Sequence, residues 1–265
     1  MLRSLKDLEQ YTVCATDGDV GNVVNFLLDD ERWVIRYLVV NTGGLFEGRH
    51  VLISPISFRE VEWSNQRFHL ALTVDKIKDS PSVDVDKPVS RQHDREYHRY
   101  YGYPYYGDYS GLWGTGSYPG LLAVSDSNDL PLDLAEAPAD VHLRSAKEVR
   151  GYHIQGSDDT IGHVHDFIVD DSTWMIRYLV IDTSNWWVGK KVLVAPSWAG
   201  NISWEEKVVN INLSRKAIKD CPEWNPTAAV SREYEGRLHN HYGRVAYWDD
   251  GEQRVRVSSP PQHPG

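Results

Sequence analysis

Two runs of β-branched and aromatic residues stand out in the alternation of apolar and polar positions along the chain. They cover residues 32–42 and 173–183, contain no Gly or Pro, and have turn-forming residues on both sides. Such runs are typical of a strand that is buried on both faces. Each run contains a single charged side chain near its middle, Arg36 in the first and Arg177 in the second. We therefore expect a central strand in each half of the chain.

Shorter signals on either side of these runs complete a repeating pattern. An Asp17-Gly18 step between apolar segments predicts a tight hairpin, because Gly accepts the positive φ of such a turn. Thr73 and Ser214 are placed to cap short helices that end before Pro81 and Pro222. About six short strands and one short helix result in each half, enough for a small β-barrel or rolled sheet.

The two halves correspond to each other at an offset of 141 residues without a gap. Identical pairs at this offset are Tyr11 and Tyr152, Gly21 and Gly162, Trp33 and Trp174, Pro55 and Pro196, Trp63 and Trp204, Pro81 and Pro222, and Arg91 and Arg232. Self-similarity with a long period indicates a duplicated structural unit. The predicted fold is mainly β: two small β-barrels with short helices, related by internal duplication.

Composition divides the chain further. We predict a first repeat with a helical tail at residues 1–102, a linker at 103–141 that is first Tyr/Gly-rich and then acidic, a second repeat with a helical tail at 142–248, and a disordered tail at 249–265. The linker is too aromatic to be a merely solvated spacer. We expect it to pack on the barrels or to reach a partner.

Charge and cysteine content restrict the class of protein. The net charge of -10 argues against nonspecific binding to nucleic acid, which depends on Lys and Arg. Two cysteines form no disulfide framework, and no apolar stretch approaches the roughly twenty residues of a membrane span. We expect a cytoplasmic protein without a membrane span.

The two arginines of the central strands have two interpretations. A guanidinium in an apolar row needs a partner of opposite charge. Arg36 and Arg177 are predicted to form structural ion pairs with nearby Asp residues, and the alternative is an anionic ligand.

Bulky side chains at predicted loop tips and in the linker are the candidate contact residues for a protein partner. They are Leu45, Phe46, Trp186, Trp187, Tyr103, Tyr105 and Tyr106. The two loop-tip pairs have an alternative role as lids on the barrel ends. Large apolar groups in such places serve either purpose.

No catalytic constellation is present in the sequence. Lys6 follows Ser4 by two positions, so a Ser-x-x-Lys pair is absent. His163 and His165 project to one face of a predicted strand, but no Cys or carboxylate completes a zinc site at the usual spacing. We therefore expect no catalytic, cofactor-binding or metal-binding residues, no cofactor, and a protein that is not an enzyme.

The order of these motifs resembles the PRC-barrel family. The resemblance is carried by the segments 20–23, 33–40 and 51–55, by the helix from Thr73 to Pro81, and by a Ser-Arg tail that ends in Tyr-Tyr-Gly. It covers roughly residues 1–102 and 142–243. The family is named for the cytoplasmic part of the H subunit of the photosynthetic reaction centre and includes the C-terminal domain of a bacterial ribosome maturation factor.

The resemblance implies a non-enzymatic binding or scaffold protein that acts through protein contacts. One alternative is a soluble protein, similar to the reaction-centre H subunit, that assists electron or proton transfer. A second alternative is an accessory of RNA processing or ribosome assembly. We expect the barrels to pack on each other within the chain, and the sequence leaves open whether the protein forms a homo-oligomer.

Overall fold

The computed structural model describes residues 1–43, 49–81, 89–106, 111–114, 116–119, 141–183 and 190–249. The chain forms two compact units. Unit 1 comprises Met1–Tyr152 and Val164–Leu179, and unit 2 comprises His153–His163 and Val180–Gly265. Strands dominate the described residues, and the mainly β prediction is confirmed.

The larger sheet lies within unit 1. Its strands are β2 (Thr12–Cys14), β3 (Asp19–Asp29), β4 (Val34–Asn41), β5 (His50–Ile53), β6 (Phe58–Glu62), β7 (Arg67–Leu70), β8 (Val89–Ser90) and β9 (Val141–Ser145). The order is β5-β4-β3-β2-β7-β6, with β9 paired to both β3 and β8. Strands β2 and β3 form the predicted hairpin, in which Val13 pairs with Gly21. Strands β2 and β7 are parallel, so the sheet is mixed.

The second sheet has seven strands among the described residues. They are β1 (Leu2–Ser4), β10 (His153–Gln155), β11 (Thr160–Asp170), β12 (Ile176–Asp182), β13 (Lys191–Val194), β14 (Ala199–Ser203) and β15 (Val208–Ile211). Within unit 2, β10 is antiparallel to the start of β11 and parallel to β15, which is antiparallel to β14.

The helices are short, as the capping signals predict. They are α1 (Val74–Lys78), α2 (Arg91–Tyr101), α3 (Ala146–Val149), α4 (Arg215–Lys219) and α5 (Arg232–His241). The Thr73 hydroxyl accepts a hydrogen bond from the Lys76 N–H at 3.3 Å, and Ser214 accepts one from Ala217 at 3.1 Å. Each cap satisfies a backbone donor that the helix leaves free.

The central strands start later than the sequence predicts. β4 begins at Val34 and β12 at Ile176, so Trp33 and Trp174 lie outside the strands. Both tryptophans have left-handed backbones, with φ of 56° and 59°. The Trp33 N–H donates to the Asp29 carbonyl at 2.8 Å and the Trp174 N–H to Asp170 at 2.7 Å, which closes a turn at each place. Residues 34–40 are all buried, as expected of a strand covered on both faces.

Reciprocal backbone pairing joins the ends of the two halves inside unit 1. Leu2 of β1 pairs with Asp170 of β11, and Leu143 of β9 pairs with Asp29 of β3. A second reciprocal exchange runs through the two turns. The Ile35 N–H donates to the Trp174 carbonyl at 2.8 Å, and the Ile176 N–H donates to the Trp33 carbonyl at 2.7 Å.

This exchange explains why the compact units differ from the predicted domain borders. Unit 1 contains Val164–Leu179 in addition to the first half of the chain. Those residues carry the turn and strand end that pair with β1 and with the Trp33 turn. Backbone pairing over a long sequence separation leaves no local signal, so the sequence placed the border in the linker.

The helical tail α2 packs its inner face on the sheet of unit 1. Tyr97 belongs to a buried cluster whose other members are Leu27, Tyr37, Val39, Leu52, Val89 and Leu143. The predicted stripe of His93, Tyr97 and Tyr101 is correct for the tyrosines, whereas His93 is exposed. Asp94 and His98 lie on the buried side instead. Among the described residues, no helix has the length and apolar character needed to cross a membrane.

Replacement of Gly21 by Ala tests the close approach of β3 to the chain after β4. A Cβ at Gly21 would lie 2.0 Å from the backbone carbonyl oxygen of Asn41, which cannot move away cheaply. We expect Gly21→Ala to destabilise the protein by about 1–3 kcal/mol or more, as overpacking does. The measurement is the urea unfolding midpoint.

Gly236→Ala in α5 is the matched control. No atom lies within 4 Å of the position that a Cβ would take there. Ala in a helix is favoured over Gly by about 0.5–1 kcal/mol, so this variant should be slightly more stable than the wild type. Equal midpoints for the two variants would contradict the proposed close approach.

Candidate functional site

The centre of the candidate site is a buried ion pair at one end of the unit 1 sheet. Asp29 closes β3 and Arg36 lies in β4, on the adjacent strand. The Arg36 Nη2 atom is 2.9 Å from the Asp29 Oδ2 atom, and the two side chains are 1% and 3% exposed. The other carboxylate oxygen of Asp29 accepts the backbone N–H groups of Glu31 and Arg32 at 3.1 and 3.0 Å. The buried carboxylate is thereby paired through both oxygens.

Residues 111–114, which we call the strap, close the site from the linker. Gly111 and Gly114 form a backbone bridge, so Leu112 and Trp113 occupy the tip of a tight turn. The Leu112 carbonyl accepts a hydrogen bond from Arg36 Nη1 at 2.6 Å, and the Gly111 carbonyl accepts one from Arg32 Nη1 at 2.9 Å. Two arginines thus hold the strap by its main chain.

Glycine is required at Gly111 by the tightness of this turn. A Cβ there would lie 2.3 Å from the Gly114 carbonyl oxygen.

Aromatic rings cover the guanidinium. Arg36 Cζ lies 3.5 Å from the ring centroid of Tyr106 and 4.9 Å from that of Trp113. Cation–π contacts of this kind gain strength when water is excluded. The indole N–H of Trp113 donates to the Thr173 carbonyl at 2.8 Å, and the Trp113 side chain is fully buried. Trp113 therefore fixes the strap at a second point within unit 1.

A carboxylate of α2 extends the same polar cluster. Asp94 is fully buried, and its two oxygens accept the hydroxyl groups of Tyr37 and Tyr106. Burial raises the pKa of both tyrosines, and the negative charge of Asp94 raises each of them further. Tyr106 consequently serves both acidic and basic parts of the cluster: its hydroxyl binds Asp94 and its ring lies over Arg36.

His98 is the remaining buried titratable group of the cluster. Its Nδ1 atom is 2.9 Å from the Pro104 carbonyl oxygen, so Nδ1 carries the proton and donates. Its Nε2 atom is 3.8 Å from Asp94 Oδ1. Burial lowers the pKa of His98, and the opposing attraction of Asp94 is smaller. His98 is therefore neutral at pH 7 and ties α2 to the chain that leaves it.

The second half of the chain has a corresponding arrangement in unit 2. The Tyr247 hydroxyl donates to Glu235 Oε1 at 3.0 Å, and His239 Nδ1 is 3.2 Å from the Val245 carbonyl oxygen. Glu235, His239 and Tyr247 lie 141 residues after Asp94, His98 and Tyr106. The correspondence thus continues beyond residue 102, the predicted end of the first repeat. Tyr106 and Tyr247, identical at the same offset, are the sequence signal for this longer repeat.

The structure gives separate positions to the predicted contact residues. Tyr105 and Tyr106 are 3% and 1% exposed, and Tyr103 is half-buried. This burial corrects the expectation that Tyr105 and Tyr106 contact a partner. They pack inward because α2 and the strap enclose them. The loop-tip residues Leu45, Phe46, Trp186 and Trp187 lie outside the described residues.

Arg177 forms a salt bridge with Asp170. The Arg177 Nη2 atom is 3.1 Å from Asp170 Oδ2. This pair corresponds to Arg36 and Asp29 in both residue types and spacing. Its side chains are 17% and 19% exposed, so it is less deeply covered than the first pair.

The cluster around Arg36 is built to hold a chain segment. Its charged and hydroxyl groups are buried in the structure and bind one another or main-chain carbonyls, so a substrate has no access to them. Among the described residues, no group of three or more His, Cys, Asp and Glu side chains is arranged to hold a metal ion.

Unit 2 has an open cleft of about 560 Å³ between the start of β13 and residues 223–226. Lys190 and Lys191 contribute its cationic side. The Lys190 ammonium already donates to the carbonyls of Lys219 and Cys221, at 2.6 and 3.0 Å. That contact secures the end of α4 and gives this lysine a structural role.

The two ion pairs should differ in their contribution to stability. Arg36→Met leaves the Asp29 charge buried without its cation and should cost about 3–5 kcal/mol. Arg177→Met removes a pair that water already reaches and should cost about 1 kcal/mol or less. Urea unfolding of the two variants provides the comparison. Equal losses would show that the strap does not isolate Arg36 from water.

His98 should give the protein a dependence on pH in its acid range. The folded-state pKa is lowered from the unfolded value of 6.5, so the folded state holds fewer protons than the unfolded state at lower pH. The contribution of neutral His98 to stability is complete above about pH 6.5 and declines as the pH falls toward the folded pKa. We expect His98→Asn to have a flatter profile of unfolding midpoint between pH 7.5 and 5 than the wild type.

His93→Asn, at an exposed position of the same helix, is the control for this profile. It should keep the wild-type slope. A His98→Asn profile parallel to that of the wild type would show that His98 is not the group responsible.

Comparison with known proteins concerns part of the chain. A protein of Deinococcus radiodurans, described as an uncharacterized protein, is 34% identical to this chain over 97 residues. The similarity covers 31% of this chain and 35% of that protein, so the chain spans about a third of the length of the relative it matches. Residues 142–218 match the PRC-barrel domain family, over β9 to the helix α4. The second half of the chain therefore contains a PRC-barrel domain.

Proposed function

We propose that the protein is a non-enzymatic binding protein that acts through contacts with other proteins. The observation that supports this most directly is the docking of the strap in unit 1. Arg32 and Arg36 hold it by the carbonyls of Gly111 and Leu112, and Trp113 anchors it. The chemistry at this site is that of polypeptide recognition.

Physical considerations favour a binding role for this chemistry. Main-chain carbonyls are common to all polypeptides, whereas a buried indole is selective for tryptophan. Hydrogen bonds to a charged donor contribute more than neutral ones, about 1.5–3 kcal/mol each. Tryptophan and arginine are also the residues that most often dominate the energy of protein interfaces. The PRC-barrel domain at residues 142–218 is compatible with this role.

We also propose that the whole chain is a tandem pair of PRC-barrel units. Three features support this. The order of strands and short helices is similar in the two halves, the left-handed backbone of Trp33 is repeated at Trp174, and that of Gln66 is repeated at Lys207. The reciprocal pairing of β1 with β11 and of β9 with β3 has the form expected when two related units exchange end strands.

Affinity capture is the test of the binding role. The full chain, immobilised on beads, is offered a lysate of the cells that produce it, with and without an excess of the free chain as competitor. We expect at least one protein that is retained and displaced by the competitor. That protein, once purified, should bind the chain with a saturable isotherm. The proposal fails if every retained protein is indifferent to the competitor.

A further inference from the structure

The ion pairs Arg36–Asp29 and Arg177–Asp170 have the same local design within unit 1. In each, the carboxylate precedes the arginine by seven residues, across the turn that precedes a central strand. The Nη2 to Oδ2 distances are 2.9 and 3.1 Å. The two guanidinium groups therefore start from the same position relative to their own strands.

The pairs differ in what completes them. Nη1 of Arg36 donates to the Leu112 carbonyl of the strap at 2.6 Å, and Trp113 lies beside the guanidinium. Nη1 of Arg177 instead faces the sulfur of Met175 at 2.9 Å, and a thioether is a weak acceptor. Side-chain exposure follows this difference, with 1% and 3% for the first pair and 17% and 19% for the second.

The chain's own sequence does not offer the second pair an equivalent strap. The residues 141 positions after the strap are Glu252, Gln253, Arg254 and Val255, in place of Gly111, Leu112, Trp113 and Gly114. They include neither the glycines that permit the tight turn nor the tryptophan that anchors it. An arginine at the position of Trp113 would also bring a second positive charge to a guanidinium.

The surroundings of the second pair suit an aromatic ligand group. Met175 and Arg177 are both partly exposed, and thioethers and guanidinium groups both make favourable contacts with aromatic rings. The neighbouring charges balance: Asp171 is bound by Arg3 Nε at 2.7 Å and by the N-terminal amine. The local surface therefore favours a neutral main-chain carbonyl and an indole over a strongly charged group.

We propose that the surface formed by Asp170, Met175 and Arg177 binds a partner protein through a turn that presents a main-chain carbonyl beside a tryptophan. This inference rests on the proposed binding role and names the chemistry of the partner at one surface. The bound turn takes the place at Arg177 that the strap takes at Arg36. Its carbonyl accepts from Nη1 of Arg177, Met175 moves aside, and the indole covers the guanidinium.

A peptide of the chain's own residues 109–118 is the probe. It contains the whole strap and Gly116, whose carbonyl accepts the Trp113 N–H at 2.9 Å in the folded chain. The labelled peptide is titrated with the wild-type protein and followed by fluorescence anisotropy. We expect saturable binding, weakened about ten- to a hundredfold in Arg177→Met through loss of a charge-assisted hydrogen bond. A peptide with Trp113→Ala should be weakened to a similar extent.

Arg67→Met is the matched protein control. Arg67 also forms an ion pair in unit 1, with Asp19 at 2.6 Å, but it lies at an exposed position away from the proposed surface. It should bind the peptide as the wild type does. Circular dichroism spectra of both variants must match that of the wild type, and if Arg177→Met does not fold, Arg177→Lys replaces it with the same expected loss.

Three outcomes would overturn the inference: no saturable binding to the wild type, equal binding by Arg177→Met, or equal binding of the alanine peptide. Equal binding by Arg177→Met would mean that the peptide displaces the strap at Arg36. Failure of the peptide together with a successful capture experiment would reject this surface while the binding role stands. Failure of both would reject the binding role itself.

Discussion

The burial of one guanidinium, that of Arg36, is the constraint on which the rest of unit 1 depends. A charge in an apolar interior is tolerated only when its donors are matched and its charge is balanced. Asp29 supplies the charge, the Leu112 carbonyl accepts from Nη1, and the rings of Tyr106 and Trp113 exclude water. Three of these partners follow α2 in the chain. The polypeptide after the helix therefore has to return to the sheet.

Tyr106 couples this ion pair to a second buried charge. Its ring lies over Arg36 while its hydroxyl binds Asp94, which also accepts the hydroxyl of Tyr37 from β4. The result is a network in which the positive and negative side chains share one aromatic neighbour, and in which strand, helix and strap cannot move independently. A network of this kind gives rigidity and specificity of arrangement rather than chemistry. It is consistent with a protein that works by holding polypeptide segments.

The difference between the two ion pairs carries the functional argument. The same carboxylate and arginine, at the same spacing, are enclosed by a strap in one case and remain partly exposed in the other. Structural equivalence with unequal covering is what is expected when one site is completed within the chain and the other by a partner. The unequal role of Met175, which stands where Val34 stands in the first half, adds a flexible side chain at the more exposed site.

Local patterns in the sequence determined the strands, the caps and the preference of the central arginines for a nearby aspartate. These features depend on residues a few positions apart, whose side-chain periodicity and hydrogen bonds act within one element. Only the tertiary structure decided that Trp33 and Trp174 form turns, that end strands are exchanged, and that Tyr105 and Tyr106 face inward. The hydrogen bond from Arg36 to Leu112 spans 76 residues and uses a main-chain oxygen that every residue possesses, so no side-chain pattern could announce it.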